Sequence, residues 1–441
     1  VRGRRVGVLI SEFGFLAGSI GRATADRLVS AIERATAEGI PLVAAPCSGG
    51  TRMQEGTPAF VQMVRISAAI AKHKAAGLPY LVYLRHPTTG GVMASWGSLG
   101  HVTVAEPGAL VGFLGPRVFE ALYGKPFPEG VQTSENLHDH GLIDAVVPPE
   151  EIADILDRAL SILQAEPSHI DAERSLESDE ESVRSGEESL ADRDAWDSVT
   201  RSRNPARPGV RRLLSIGADE VIPLHGTGQG ESDPGLLIAL ARFGDAPCVF
   251  LGQDRRGQSA EHPMGPGALR EARRGMRLAV ELGLPLVTAI DTPGAALSAE
   301  AEEGGLAGEI ARCLADLVSL PAPTLCLMLG EGNGGGALAL LPADRIIAAE
   351  NAWLSPLPPE GASAIVHRDT DHAPEMARAQ QVRAADLVAA GVVDRIIPEQ
   401  PDAAEEPEAF CRRVAAVLQS ELSRLYGMEA GPFGHRIARY S

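Results

Sequence analysis

Short apolar runs alternate along this chain with longer amphipathic stretches, and the alternation occurs twice. In the first half Arg5–Ser11, Pro41–Pro46, Tyr80–Leu84, Val102–Ala105 and Ala109–Gly112 are brief aliphatic runs, which predicts buried strands. Between them Gly21–Glu38 sets Ala23, Leu28, Ile32 and Ala35 on one helical face. Met53–Ala76 continues a helical pattern across Gly56 and Pro58, Pro116–Tyr123 predicts a short helix, and Pro149–Leu163 a closing one. In the second half Pro285–Ile290 and Thr324–Leu329 predict strands of the same kind. Landmarks recur in order: Gly39-Ile40-Pro41-Leu42-Val43 matches Gly283-Leu284-Pro285-Leu286-Val287 at an offset of 244, and Pro79 matches Pro323 at the same offset. Gly141-Leu142-Ile143-Asp144 matches Gly391-Val392-Val393-Asp394 at 250. Two copies of one α/β unit, sheets backed by helices, account for this pattern.

The motif that stands out in each copy is a glycine turn after a buried strand. Thr88-Thr89-Gly90-Gly91-Val92 follows Tyr80–Leu84, and Asn333-Gly334-Gly335-Gly336-Ala337 follows Thr324–Leu329. Each leads into small residues with helical character, Val92–Leu99 and Ala337–Leu341. Glycines between strand and helix let the backbone turn sharply and direct free N–H groups beyond the strand end. Such a pocket stabilises an oxyanion without a charged side chain. Ser48-Gly49-Gly50-Thr51-Arg52 and Asp291-Thr292-Pro293-Gly294-Ala295 end the neighbouring strands, so they are expected to form pocket walls.

Residues 166–194 carry eleven acidic and three basic residues among many serines, a composition that predicts a disordered acidic linker between domains 1–165 and 195–441. The whole chain, 441 residues at a net charge of −18, is unsuited to a nucleic-acid groove or an anionic membrane surface. Five scattered cysteines with no CxxC predict neither a metal site nor disulfides, and with no span-length apolar run the expected setting is cytoplasmic.

Two rival chemistries have partial signatures in the chain. Gly330-x-Gly332-x-x-Gly335 with Glu350 beyond it matches a dinucleotide fingerprint, but in a late strand of a repeat whose twin lacks it. A serine hydrolase needs a nucleophile at the turn; Val92 and Ala337 stand there, and Ser95 lies a turn further on.

The motifs, taken together, resemble the carboxyltransferase component of biotin-dependent acyl-CoA carboxylases, members of the crotonase superfamily. Ser48–Gly56, Pro87–Val92, Ala105–Pro107 and Gly112–Val118 look like the bacterial acetyl-CoA carboxylase β subunit. Trp196–Val199, Asn204–Pro208, Ile290–Ala295, Gly330–Leu338 and Pro359–Gly361 look like the α subunit. The likeness is to a fused β–α carboxyltransferase, and it implies two tandem crotonase-like domains. It implies transfer of a carboxyl group from carboxybiotin on a carrier protein to the α-carbon of an acyl-CoA, acetyl-CoA first among them. Backbone donors would stabilise two oxyanions, and biotin itself would serve as the base.

By residue, the resemblance places the thioester oxygen on Gly90 and Gly91, and the biotin ureido oxygen on Gly336 and Ala337. It places CoA along Ser48, Gly49, Gly50, Arg52, Pro116 and Arg117, and biotin beside Gly294, Ala295 and Gly335, with no metal. It implies biotin carboxylase and biotin carboxyl carrier protein as partners, and a homodimer or larger homo-oligomer. Where the α subunit has Tyr-Pro-Gly and then Ala-Glu-Glu-Arg-Gly-Gln, this chain has Ala296-Leu297-Ser298 and Ala301-Glu302-Glu303-Gly304-Gly305. The four-cysteine zinc ribbon of the bacterial β subunit has no counterpart in it. A malonyl-thioester decarboxylase on the same scaffold, or a non-catalytic assembly subunit of a carboxylase, stands as the alternative.

Overall fold

The computed structural model describes residues 1–165, 193–259, 262–426 and 435–440. The expected acidic linker lies outside the described residues except at its end, Arg193 and Asp194. Asp194 caps the helix Ala195–Ser202 by accepting from the Trp196 amide, and Arg193 pairs with Glu350 at 2.9 Å. Two units are present: Val1–Leu163 with Leu224–Ser232, and Gln164–Pro223 with Asp233–Ser441. Leu224–Ser232 therefore belongs with the first unit, although sequence alone assigns it to the second half. Gly141 and Gly226, both at positive φ, make this packing possible, because a Cβ on either would collide with the other's backbone. Gly228 donates to the Gly141 carbonyl at 2.8 Å, and the His225 amide to Asp144 at 3.0 Å.

The first unit holds β1 (Gly7–Ile10), β2 (Leu42–Ala45), β3 (Tyr80–Leu84), β4 (Thr88–Thr89), β5 (Val102–Ala105), β6 (Val111–Gly112) and β7 (Ala145–Val146). Its main sheet is parallel throughout in the order β1-β2-β3-β5-β7. Helix Arg22–Ala37 buries Ala25, Leu28, Ile32 and Ala35, with Ala25 in the place expected of Ala23. The long pattern after Met53 resolves into helices Thr57–Phe60 and Gln62–Ala75, with Pro58 in the first turn of the former. Ile66, Ile70, Tyr80 and Trp96 complete the core against these helices.

The second unit carries β8 (Glu220–Leu224), β9 (Leu236–Phe243), β10 (Ala246–Gln253), β11 (Leu286–Thr292), β12 (Thr324–Asn333), β13 (Arg345–Ala349), β14 (Trp353–Ser355) and β15 (Arg395–Ile397). Their order is β15-β13-β12-β11-β10-β9-β8, with β14 on the end of β12. β11 and β12 are buried along their whole length, which is why they read as continuous apolar runs rather than alternating ones.

The duplication holds to the level of hydrogen-bond register. Leu42 faces Tyr80 in one sheet and Leu286 faces Thr324 in the other, each shifted by the same 244 residues. Thr88 and Thr89 pair with Val111 and Gly112 as Gly332 and Asn333 pair with Leu354 and Ser355. Among the described residues no helix is long and apolar enough to cross a membrane, and the five cysteines are buried and unpaired.

Candidate active site

Each glycine turn begins with one left-handed residue. Gly90 and Gly334, 244 positions apart, both have φ of 63°. After each, the chain makes one turn of helix. In the first unit the Ala94 amide donates to the Gly90 carbonyl at 3.0 Å; in the second, Gly334–Leu338 is a five-residue helix. The expected helix Val92–Leu99 does not form beyond that turn. Ser95 Oγ takes the Gly91 carbonyl at 2.5 Å, Ser98 Oγ takes that of Met93 at 2.5 Å, and the Gly97 amide reaches Val92 at 2.9 Å. Side-chain hydroxyls thus compete for carbonyls that a helical ladder would use.

In the first turn the hydrogen bonds engage one of the expected donors. The Gly90 amide donates to the carbonyls of Gly112 at 3.2 Å and Phe113 at 2.9 Å, so it is not available to a ligand. The Gly91 and Val92 amides have no acceptor among the described residues. In the second turn Gly335, Gly336 and Ala337 all lie within the five-residue helix Gly334–Leu338. The first amides of a helix have no partner in the helical ladder, and no side chain caps this one. The equivalent pairs are Gly91 with Val92, and Gly335 with Gly336.

The neighbouring turns close against these amides. A Cβ on Gly50 (φ 106°) would stand 3.2 Å from the Gly91 nitrogen and 3.3 Å from Gly90 Cα. The Ser48–Gly50 turn is fixed there by Ser48 N–H to the Pro87 carbonyl at 2.7 Å and by Thr89 N–H to the Ser48 carbonyl at 2.9 Å. Gly49 donates to the Ala17 carbonyl at 2.9 Å, and Ser48 Oγ accepts from the Gly50 amide at 3.0 Å. In the second unit Gly294 (φ 125°) donates to Thr292 Oγ1 at 3.1 Å and borders Asn333. Ala295 borders Gly336: a Cβ there would lie 3.2 Å from the Ala295 nitrogen. Gly294, Ala295, Gly335 and Gly336 are therefore brought together.

Arg52 departs from its expected role. Its guanidinium donates to the Ser19 carbonyl at 2.8 Å, Ser19 Oγ at 3.2 Å and Glu55 at 3.2 Å, and its side chain is mostly buried. That is an internal clamp and leaves no free fork for a phosphate. Pro116 opens the helix Pro116–Tyr123, a few residues beyond the two carbonyls that bind Gly90. Arg117 follows it, and its side chain lies outside the described residues.

Sequence reasoning missed the layer beneath the second turn. Asp291 accepts from the Glu331 amide at 3.2 Å, Arg203 holds Glu331 at 3.0 Å and Glu360 at 2.5 Å, and Arg255 lies 4.0 Å from Asp291. Burial pushes the Asp291 carboxyl up to about 6 against the pull of Arg255 and Arg207, and burial raises Glu331 as well. In the sequence Asn333 reads only as the start of a glycine run. It is 1% exposed, and neither Oδ1 nor Nδ2 has a hydrogen-bond partner among the described residues. A polar residue at a strand end before a run of glycines was the available signal. Gly330 and Gly332 lie inside β12 rather than in a loop, which removes the dinucleotide fingerprint; a Cβ on Gly330 would meet Asp291 Oδ1 at 2.6 Å. Ser95 is buried with its hydroxyl committed, so it is no nucleophile at the turn.

Two sheet-and-helix units, one sheet parallel throughout and the other mixed, each with a glycine turn at the exit of a central strand, define the class: a duplicated α/β protein. The chain belongs to the carboxyl transferase domain family, whose model matches residues 1–428. It is 58% identical over 441 residues to the probable biotin-dependent acyl-coenzyme A carboxylase beta3 subunit of Mycobacterium tuberculosis, covering 100% of this chain and 87% of that one. It is 38% identical over 430 residues to the acetyl-coenzyme A carboxylase carboxyl transferase subunits beta/alpha of Salinispora tropica, covering 96% and 76%. Transcarboxylase 12S has the same fold, with a TM-score of 0.73 at 20% identity over 98% of this chain and 83% of that one.

Proposed function

We propose that this chain is the carboxyltransferase of a biotin-dependent acyl-CoA carboxylase, built from two crotonase-like domains and acting on acetyl-CoA. Biotin would arrive on a carrier protein that a biotin carboxylase charges, and a second copy of this chain would complete the assembly. What carries the reading is the repeated glycine turn, with its left-handed first residue at Gly90 and again 244 residues on at Gly334, in a chain of the carboxyl transferase family. The residues present fit biotin. A cyclic urea wants donors on its oxygen and a partner for its N–H edge, and the second turn offers two amides beside the orphaned Asn333 carboxamide. When bound, biotin supplies the carboxyl group and a nitrogen base.

Gly91 and Val92 hold the thioester oxygen as it gains negative charge, and Gly335 and Gly336 hold the ureido oxygen. Neither step requires an ionised side chain, because preorganised N–H groups in a dry site polarise a carbonyl at no reorganisation cost. Ser48–Gly50 and Pro116–Arg117 border the thioester side, and Gly294–Ala295 the biotin side.

The test is malonyl-CoA-dependent carboxylation of free biotin, the reverse reaction, in wild type and in Gly91→Pro and Gly336→Pro. Each substitution deletes one amide donor, and each is expected to lower the rate by roughly a hundredfold or more, a loss of about 3 kcal/mol. Equal rates in all three folded proteins would sink the site assignment. Turnover of malonyl-CoA with no biotin present would point to decarboxylation instead.

A further inference from the structure

The landmark repeated at residues 141–144 and 391–394 ends in an aspartate in each unit, Asp144 and Asp394. Both bind the neighbouring strand in the same way. The Asp144 amide donates to the Thr103 carbonyl at 2.7 Å, and its Oδ2 accepts from the Thr103 amide at 2.8 Å. Asp394 does both with Ile346, at 2.7 Å each. The other oxygen, Oδ1, meets a segment remote in sequence. In the first unit this is the His225 amide of Leu224–Ser232, at 3.0 Å. In the second it is the Arg439 guanidinium, also at 3.0 Å, beside Arg345 at 3.2 Å. One anchor is therefore present twice, and in the second copy it holds an arginine from residues 435–440.

Arg436, three residues before Arg439, is seated more deeply and is 5% exposed. Its Nε and Nη2 meet the two carboxylate oxygens of Asp344, each at 2.8 Å. Nη1 donates to the carbonyls of Leu317 at 2.5 Å and Leu320 at 3.0 Å, and Nη2 also to that of Ala322 at 2.7 Å. A guanidinium carries five N–H donors in a fixed fork, and these five contacts use them all. Leu317 and Leu320 stand at the end of helix Leu306–Ser319, where the last carbonyls lack ladder partners and the helix dipole favours a cation. That helix has no basic residue in its own last turn. Asp344 is itself buried; without Arg436 it keeps only the half-exposed His435 as a cation partner, at 3.7 Å.

We propose that Asp344, the three carbonyls and Asp394 form a guanidinium-binding site, and that residues 435–440 are its ligand: an Arg-x-x-Arg strap that locks the entry of β12. Asp344 is the joint. Its Oδ2, which takes Arg436, also accepts from the Thr324 amide at 2.8 Å and the Thr324 hydroxyl at 3.0 Å. Thr324 opens β12 and Asn333 ends it, so the seat and the second glycine turn are the two ends of one ten-residue strand. Arg439 closes the strap by donating to the Asp344 carbonyl and the Val392 carbonyl, each at 3.0 Å. The site reads shape as well as charge. An ammonium offers three donors from one point and leaves at least two of the five contacts of Arg436 unmade. The strap's role holds whatever the glycine turns bind.

The experiment is chemical rescue in the full chain. Melting temperatures of wild type, Arg436→Ala and Arg436→Lys are measured with methylguanidinium chloride, and with methylammonium chloride at the same ionic strength. Arg436→Ala is expected to melt lower by about 5 °C or more, because a buried carboxylate loses its cation. Arg436→Lys is expected to recover less than half of that loss. At about 20 mM, methylguanidinium is expected to raise Arg436→Ala by about 2 °C or more above the methylammonium control and to leave wild type unmoved, since its site is already filled. An unshifted melting temperature in Arg436→Ala, or equal rescue by the two cations, overturns the site. Trypsin on wild type decides the matter should Arg436→Ala not fold. Cleavage after Arg436 and Arg439, followed by intact mass, is expected to be no faster than global unfolding. Rapid loss of the residues after Arg436 from an otherwise folded chain overturns the seating of the strap.

Discussion

The two glycine turns share a backbone and differ in everything that surrounds it. Gly90 and Gly334 share a φ of 63°, Gly50 and Gly294 both sit at positive φ, and the strand registers are the same. Around the first turn, however, the chain is closed on itself. Thr89 is satisfied by Ser48, Gly50 is pressed onto Gly90 and Gly91, and the place equivalent to Asp291 is Cys47, whose thiol donates to the His86 carbonyl. Around the second turn neither polar atom of Asn333 has a partner among the described residues, a Cβ on Gly294 would come no closer than 3.9 Å to its neighbours, and an acid–arginine layer lies beneath. Duplication preserved the backbone of the turn, and divergence fell on the side chains around it.

The largest expected difference lies in the two walls. Alanine at position 50 or 294 must adopt a positive φ, which strains any L-residue. At position 50 the new methyl also meets three backbone atoms at 3.2–3.3 Å, whereas at position 294 the nearest is 3.9 Å away. Gly50→Ala is therefore expected to cost roughly 3 kcal/mol or more and Gly294→Ala about 1–2 kcal/mol, read from urea denaturation midpoints. Equal losses would mean that the first turn is no tighter than the second.

The buried acid layer gives the second turn a pH dependence. Asp291 has a folded-state value near 6 against 3.8 for the free side chain, because burial disfavours the carboxylate more than Arg255 and Arg207 favour it. The sign follows: the folded state holds this proton more tightly, so the contribution is full below about pH 4 and is lost as pH rises through about 6. Asp291→Asn keeps an acceptor for the Glu331 amide and has no proton to lose. Relative to wild type it is expected to gain stability steadily between pH 4 and pH 7, by at most about 3 kcal/mol. A wild-type-minus-variant difference that stays flat over that range, followed by chemical denaturation, would show that Asp291 is ionised throughout.

The alternation of apolar runs carried the strands, because buried parallel strands need continuous apolar sequence, and the 244-residue offset carried the duplication. Glycines between strand and helix located both turns. What sequence could not supply was the last bond. Whether Gly90 or Gly91 offers its N–H depends on the carbonyls of Gly112 and Phe113, which arrive from a strand beyond β5. Packing of Leu224–Ser232 with the first unit was hidden for the same reason, since a close approach between Gly141 and Gly226 leaves no periodic trace.

Arg52 offers the smallest test and the sharpest on the first turn. Sequence places a guanidinium beside the CoA wall, where a phosphate partner is the natural assignment. The structure ties it to Ser19 and Glu55, and Glu55 in turn accepts from the Arg22 amide at 2.7 Å at the start of helix Arg22–Ala37. Arg52→Ala therefore removes a link between that helix and the Ser48–Gly50 turn. It is expected to destabilise the first unit by about 1–2 kcal/mol, the scale of charge-assisted hydrogen bonds that stay partly hydrated. KM for the acyl-CoA should stay within about twofold at temperatures where the variant is folded, since no phosphate contact is lost. A tenfold rise in KM with an unchanged melting temperature would restore Arg52 to the CoA side, and would mean that the clamp opens when the thioester binds.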